Sequence, residues 1–420
     1  MNITIKGEFK PGIINAPSSK SFSQRYILYS AFSNIPVSLK NLSFSEDEIV
    51  AIKIAMACGA SIKFDGCLKI YPKFKCPKTI NACESGTSLR LVIGLLAAKR
   101  CRTFIYENES LRKRPINDLI KTLEGKNIVF KQNNDGILMD ASFSNVSDSK
   151  IDGSKSSQFV SSMMMYHSIL LGHLDAYNVV STDYIKITMK CLNDLGVSVK
   201  NRDYKSFDFY SNYIKNSVIN IEGDYSSAAF WIILGIFKGD IEIKNLKINS
   251  CQPDSKIIEI INSVSERKID VYDDKIIVHK TRILRDLYID VNDNPDLAPP
   301  ISIIGIFSDV SVHILNYKRL EIKESNRAEN IISMASSFGA FIKKSDDEII
   351  VSKGEIKRPR NISFNDHRMI MSSIIAGLIS SYNIIYEDVE NINKSYPSFL
   401  KDLSSLGYKI EFIDNNLKTH

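Results

Sequence analysis

Residues 51–64 read AIKIAMACGASIKF, an apolar helical run that stops at Gly59 and passes at once into a β-type segment. The same order returns as LIKTLEGKNIVF around Gly125, MKCLNDLGVSVK around Gly196, IISMASSFGAFIKK around Gly339 and LKDLSSLGYKIEF around Gly407. Another copy, IIEIINSVSERKIDVY, carries Glu266 where the glycine belongs. Successive steps are 66, 71, 70, 73 and 68 residues. Glycine just past a helix end adopts the left-handed conformation without steric cost, so it is expected there in five copies. The Glu266 copy is expected to close its helix differently.

Working outward, each copy also holds a polar start to a strongly apolar helix. These starts fall at Lys20, Ser85, Ser156, Ser226, Asp296 and Asp366, and from Ser85 onward the steps are 71, 70, 70 and 70. Each resembles an N-cap followed by a run such as LRLVIGLLAA or MIMSSIIAGLI. The Ser226–Ser227 pair is expected to cap its helix. Helices apolar on most sides are buried ones. The chain thus reads as an α/β fold of six copies, each with two helices and several strands, one helix buried and the other lying more outside. Roughly parallel buried helices would gather their N-termini at one end of each domain. Unpaired N–H groups and positive dipole ends meet there, and polyanionic ligands belong there. The first such start, PSSKSFSQR at 17–25, is suited to holding an anion.

Composition supports a globular protein. At 420 residues, with 44% hydrophobic and 24% charged residues, the chain holds two or three domains by the usual length prior. The net charge of +6 is spread along the chain, which suits small acidic substrates and does not call for nucleic acid. Basic residues are not interleaved with aromatics on one stretch, which argues against single-stranded nucleic acid. Seven cysteines form no C-x-x-C pair, so they are expected as core packing or incidental surface thiols in a reduced compartment. The N-terminal MNITIKGEFKPG alternates like a strand, without a signal-peptide core, and no apolar run is long enough for a bilayer. A soluble cytoplasmic protein is expected. No His/Cys/Asp cluster has ligand spacing, so neither metal nor cofactor is expected.

The helix starts and nearby loops carry the distinctive motifs: SSKSFSQR (18–25), ESGTSLR (84–90), LRKRP (111–115), DGSKSSQF (152–159), STDYI (181–185), EGDYSSAAF (222–230), NPDLAPP (294–300), RLEIKESNR (319–327), NDHRM (365–369) and KSYPSF (394–399). In this order they resemble the 5-enolpyruvylshikimate-3-phosphate (EPSP) synthase family, from about residue 5 to residue 405. The resemblance implies a two-domain enolpyruvyl transferase fold with six βαβαββ repeats, three per domain. The domains would be 18–222, and 1–17 with 223–420, with crossovers near 17 and 223 and an active site in the interdomain cleft.

The implied reaction moves the enolpyruvyl group of phosphoenolpyruvate to the 5-hydroxyl of shikimate 3-phosphate through a tetrahedral intermediate, releasing phosphate. Ser156, Ser157, Ser181 and Lys323 match the family's contacts to the shikimate phosphate. Lys20, Ser21, Arg25 and Gln158 match contacts to the ring or to both substrates, with Tyr184 packed beside it. Arg114, Arg327, Arg368 and Lys394 match the clamps on phosphoenolpyruvate, beside the Gly86 backbone; Lys20 and Gln158 reach it as well. Arg suits such sites because its planar fork bonds carboxylate and phosphate bidentately. Asp296 matches the base for the 5-hydroxyl, and Glu324 the residue handling the methylene proton. Lys20 serves electrostatically or as a proton partner. Both substrates are small molecules, and a monomer without nucleic acid or membrane partners is expected.

Two departures and two rivals complete the reading. Arg319 stands where some members have an Asn on the shikimate side, and Glu84–Ser85 replaces an Asn–Ala. Arg90 is read as ordering the site. Within the fold, the rival is UDP-N-acetylglucosamine enolpyruvyl transferase, whose mobile loop carries a reactive Cys; ENESLRKRP here has none. The other rival is a non-catalytic anion binder, against which the two carboxylates Asp296 and Glu324 argue, because carboxylates in an anion site weaken binding.

Overall fold

A computed structural model describes residues 1–212 and 217–413. The chain forms two compact units, Ser18–Glu222, and Met1–Pro17 with Gly223–His420. Among the described residues there are six four-stranded sheets, three in each unit, and all share one plan. Within a repeat the first strand pairs parallel to the second. The second pairs antiparallel to the fourth, and the fourth antiparallel to the third. The second repeat shows the plan: Thr79–Asn81, Arg102–Tyr106, Gly136–Asp140 and Val129–Asn133 lie side by side in that order.

Three repeats are completed by strands from far along the chain. Val218–Asn220 pairs parallel to Val37–Lys40, with Ile219 opposite Leu39, and so supplies the first strand of the first repeat. Gly12–Asn15 does the same for the fourth repeat, with Ile14 opposite Ile243. Asn2–Gly7 sits between Ile385–Glu387 and Tyr408–Ile413 and completes the sixth. The inward residues of these strands (Ile3, Ile5, Ile14) are buried, so the borrowed strands are held by apolar packing as well as by the ladder.

Each repeat contributes one enclosed helix. In the first unit these are Lys20–Ser30, Gly86–Ala98 and Ser157–Leu170, and in the second Tyr225–Lys238, Ala298–Phe307 and His367–Ser380. They are short for their apolar content, and nearly every residue from Leu89 to Ala98 or Ala228 to Ile236 is buried. Among the described residues no helix is long and apolar enough to cross a membrane. Close approach matters at Gly94, where an added Cβ would lie 2.1 Å from the Ser162 carbonyl oxygen. That contact sets the register of two helices whose residues one turn earlier are Arg90 and Gln158.

Several expectations need correction. Gly59, Gly196, Gly339 and Gly407 have φ between +85° and +95°, but Gly125 has φ −61°. There the chain continues two residues further and reverses at Asn127, φ +62°, whose side-chain amide donates to the Phe143 carbonyl. The Glu266 copy does close differently: Ser265 is extended, bridging to Ile283, and the Glu266 N–H donates to the Arg282 carbonyl. Ser226 does not cap its helix, because Asp224 accepts from the Ser227 N–H at 2.8 Å. The cap before Ala298–Phe307 falls at Leu297, one residue after Asp296. Nor are all the cysteines thiols: Cys76 and Cys101 form a disulfide, while Cys58, Cys67, Cys83, Cys191 and Cys251 remain outside any disulfide. Thr103, beside Cys101, donates to the Pro77 carbonyl, and this bond draws the loop holding Cys76 against the strand start.

Candidate active site

In the unit Ser18–Glu222 the starts of the three enclosed helices are tied together by neutral side chains. Gln24, one turn into the first helix, accepts from Ser85 at 3.3 Å and Ser88 at 3.2 Å at the start of the second. Gln158 at the start of the third donates to Thr87 at 2.9 Å. Arg90 donates to the Gln158 carbonyl oxygen at 2.5 Å and to the Pro115 carbonyl at 2.8 Å, stacking its guanidinium over Phe159. It therefore orders both Gln158 and the segment carrying Arg114. The Arg114 fork lies over Gly86, where a Cβ would sit 2.8 Å from its Nη1.

Lys20, the first residue of its helix, pairs with Asp47 at 3.0 Å. Asp47 lies in the first turn of Glu46–Ala57, whose start is a capping box between Ser45 and Glu48. Ser18 donates to Glu48 at 2.6 Å, which locks the segment before Lys20 to that helix start. Burial raises the Glu48 carboxyl, and hydrogen bonds from Ser18, Ser23 and Ser45 partly offset it. Arg25 is buried; it donates to Thr188 at 2.8 Å and to the Ser21 carbonyl at 2.7 Å. Thr188 also donates to the Tyr184 carbonyl at 3.1 Å and bonds Ser161. Arg25, Ser21 and Tyr184 are thereby one group. Ser156 caps its helix by accepting from the Gln158 N–H, Ser157 opens that helix, and Ser181 holds φ +52° ahead of Thr182–Asp194.

The second unit ties two of its helix starts with charge instead. Arg327, with 1% of its side chain exposed, donates to Asp296 at 2.6 Å, Glu324 at 2.7 Å and Asp366 at 2.8 Å. Arg368 donates to the other oxygen of Asp296 at 2.9 Å. Asp366 caps its helix through the Arg368 N–H and also accepts from Ser325. His367 is buried next to it, its Nδ1 3.9 Å from Asp366. Burial alone would raise the Asp296 carboxyl, but Arg368, Arg327 and Lys323 outweigh it and hold it well below the usual range. Burial brings the Lys323 ammonium down to about 8, against the opposing pull of Asp296. Arg319 donates to the Asn292 carbonyl at 2.5 Å, bracing the turn before Asp296. Lys394 ends the short helix Val389–Lys394, which packs against His367–Ser380.

The candidate residues thus fall into two groups. Lys20, Ser21, Arg25, Gly86, Arg114, Ser156, Ser157, Gln158, Ser181 and Tyr184 lie in one unit, and Asp296, Lys323, Glu324, Arg327, Arg368 and Lys394 in the other. Their supporting partners Asp47, Thr87 and Thr188 were not singled out in the sequence. The S-x-x-E box at 45–48 could have flagged the helix start that carries Asp47; the others have no local signal.

This architecture of six small sheets around enclosed helices is shared with solved enolpyruvyl transferases. EPSP synthase from Acinetobacter baumannii matches with TM-score 0.81 at 21% identity, covering 98% of this chain and 100% of that one. The enolpyruvyl transferase NikO from Streptomyces tendae matches with TM-score 0.77 at 13% identity, covering 98% of each chain. The fold is that of the enolpyruvyl transferases. Sequence narrows it further. The family model described as EPSP synthase (3-phosphoshikimate 1-carboxyvinyltransferase) matches residues 6–403. The 3-phosphoshikimate 1-carboxyvinyltransferase of Picrophilus torridus is 69% identical over 413 residues, 98% of this chain and 100% of the relative. That of Thermoplasma acidophilum is 38% identical over 415 residues, 96% and 98%. The chain belongs to the EPSP synthase family.

Proposed function

We propose that this protein transfers the enolpyruvyl group of phosphoenolpyruvate to the 5-hydroxyl of shikimate 3-phosphate, releasing phosphate. The observation that carries the reading is Asp296 held between Arg327 and Arg368 at the start of an enclosed helix. A carboxylate so held is a poor base until something else takes up the guanidiniums. The carboxylate and phosphate of phosphoenolpyruvate are suited to that, with Arg114 and Lys394 as further clamps and the Gly86 backbone alongside. Sharing the two Arg with substrate relaxes their pull on Asp296 and raises its affinity for the hydroxyl proton.

In this reading Ser156, Ser157, Ser181 and Lys323 hold the phosphate of shikimate 3-phosphate. Lys20, Ser21, Arg25 and Gln158 set its ring, with Tyr184 beside it. The 5-hydroxyl oxygen bonds to C2 of phosphoenolpyruvate as Asp296 takes its proton, and Glu324 delivers a proton to C3. The C2–O bond to phosphate then breaks as a proton leaves the new methyl, restoring the double bond. Lys20 supports the developing charge electrostatically.

The test is phosphate release from phosphoenolpyruvate with and without shikimate 3-phosphate. Release that requires shikimate 3-phosphate, and falls by about 10²–10⁴ in Asp296→Ala, is expected of a lost general base. No release with shikimate 3-phosphate would overturn the reading. A cytoplasmic monomer is the accompanying proposal. The Cys76–Cys101 bond makes its compartment testable by alkylating freshly lysed cells under denaturing conditions, where seven alkylated cysteines would mark a reducing environment and five an oxidised pair.

A further inference from the structure

Asp254 lies outside every motif that pointed to the site, yet it is 1% exposed. It opens the second-helix segment of the fourth repeat, in the turn Pro253–Lys256. One carboxyl oxygen accepts from Ser226 in the first turn of Tyr225–Lys238. The other accepts from the Asn294 amide at 3.4 Å, and that amide also donates to the Pro253 carbonyl at 2.7 Å. Asn294 is buried and begins the Asn294–Pro295–Asp296 turn. Asp254 is therefore the point at which the start of one enclosed helix is bonded to the turn that presents Asp296.

We infer that Asp254 is a positioning residue for Asp296, holding its turn through Asn294 and setting, by its own charge state, how strongly Asp296 attracts a proton. This rests on the reading of Asp296 as the base. Four groups on three elements bear on Asp254: Asp224 and Ser226 from Tyr225–Lys238, Asp296 from the turn before Ala298–Phe307, and Arg368 from His367–Ser380. Lys256, on its own turn, lies 3.9 Å from Asp293. Burial chiefly, and then the negative charge of Asp296, push the Asp254 carboxyl up to about 7; Arg368 and the Ser226 hydroxyl oppose this. The carboxyl is thus protonated below neutrality and ionised above it. When ionised it is a second negative charge near Asp296, which favours the protonated form of Asp296 and makes it a better base.

The experiment follows kcat against pH by phosphate release at saturating substrates. Wild type is expected to show kcat rising with pH through a limb near 7. Asp254→Asn keeps an acceptor for Ser226 but cannot ionise, so the limb should vanish and kcat stay several-fold low above it. Ser226→Ala removes the hydrogen bond that favours the carboxylate, so its limb should move to higher pH. A wild-type limb kept unmoved in both variants would overturn the inference while leaving the activity intact. Absence of release from wild type would overturn the activity and the inference with it.

Urea unfolding supplies a readout independent of turnover. Because the folded value lies above the unfolded one, the folded state binds more protons between about pH 4 and 7, and stability falls as pH rises through that window. The wild-type folding equilibrium, relative to Asp254→Asn, should drop by about a hundredfold or more across it, at about a factor of ten for each pH unit. A pH-independent ratio would overturn the inference even if a variant is weakened overall.

Discussion

The two units build the same object, three helix starts gathered together, from opposite materials. In Ser18–Glu222 the starts are joined by the neutral Gln24, Ser85, Ser88, Thr87 and Gln158, with the Arg90 guanidinium bonded to Gln158. In the unit completed by Gly223–His420 two of the starts are joined by Arg327, Arg368, Asp296, Glu324 and Asp366, all charged, and the third is tied to them through the Asp254 carboxyl between Ser226 and Asn294. Each set of materials suits a different task. Neutral amides and hydroxyls fix geometry without titrating, which suits holding an anion. Buried carboxylates matched to guanidiniums store a proton-accepting group in an ionised state that a competing anion can release. The carboxylates Asp47 beside Lys20 and Asp118 beside Lys155 show that the first unit is not free of acids, but neither pair joins one enclosed-helix start to another.

The comparison can be broken most forcefully at Arg327. Arg327→Ala takes a guanidinium from three carboxylates, leaving Asp296 with Arg368 and Asp366 with Ser325 and the Arg368 N–H, and is expected to cost about 3–5 kcal/mol in urea unfolding at neutral pH, the usual penalty for removing one partner of a buried pair. The loss should shrink as pH falls and these carboxylates take up protons. A cost under about 1 kcal/mol, a surface-pair value, would mean that the charged junction is solvated and the contrast false.

Next in size is the pH dependence of Lys323. Its ammonium, brought down to about 8 by burial, is present below that pH and lost above it. The specificity constant for shikimate 3-phosphate, which reports the free enzyme, should therefore fall by about tenfold per pH unit above 8. In Lys323→Arg the limb should leave the accessible range, because a guanidinium stays charged. A limb unchanged in that variant would assign it elsewhere.

Gly86→Ala tests the first unit where the Arg114 guanidinium overlies the backbone. The new methyl meets the far end of a flexible Arg114, at 2.8 Å, so the fold should survive while Arg114 shifts. KM for phosphoenolpyruvate is expected to rise by about tenfold, the equivalent of one charge-assisted hydrogen bond weakened. An unchanged KM would remove Arg114 from the clamp. The smallest effect belongs to Ser88→Ala, whose loss of neutral hydrogen bonds with Gln24 and Ser85 should cost about 1 kcal/mol in stability. A cost matching that of Arg327→Ala would erase the distinction between the two junctions.

The architecture was legible because its signals are local. A helix that must stop needs a glycine or a substitute within a residue or two, and an enclosed helix must be apolar all round. A period near seventy therefore survives in the sequence even without strands being assigned. Gly125 failed because the asparagine two residues on also tolerates the left-handed turn. The borrowed strands were illegible for the opposite reason: nothing near Gly12–Asn15 says that its ladder partner is Ile241–Lys244. The candidate residues were nameable from their motifs, but Asp366 read only as a cap, and its second bond, to Arg327, is invisible across 39 residues.

By itself, then, the sequence determined the repeat, the enclosed helices, the reservoir of cations at their starts and the resemblance that names a reaction. These depend on residue type and short spacing. Only the tertiary structure decided which acid meets which base: that Arg327 serves three carboxylates, that Asp254 reaches Asn294, and that Cys76 meets Cys101. The reason is physical. A charge's neighbours within a few ångströms set its pKa and its reactivity, and in a buried site those neighbours come from helix starts tens of residues apart in the chain.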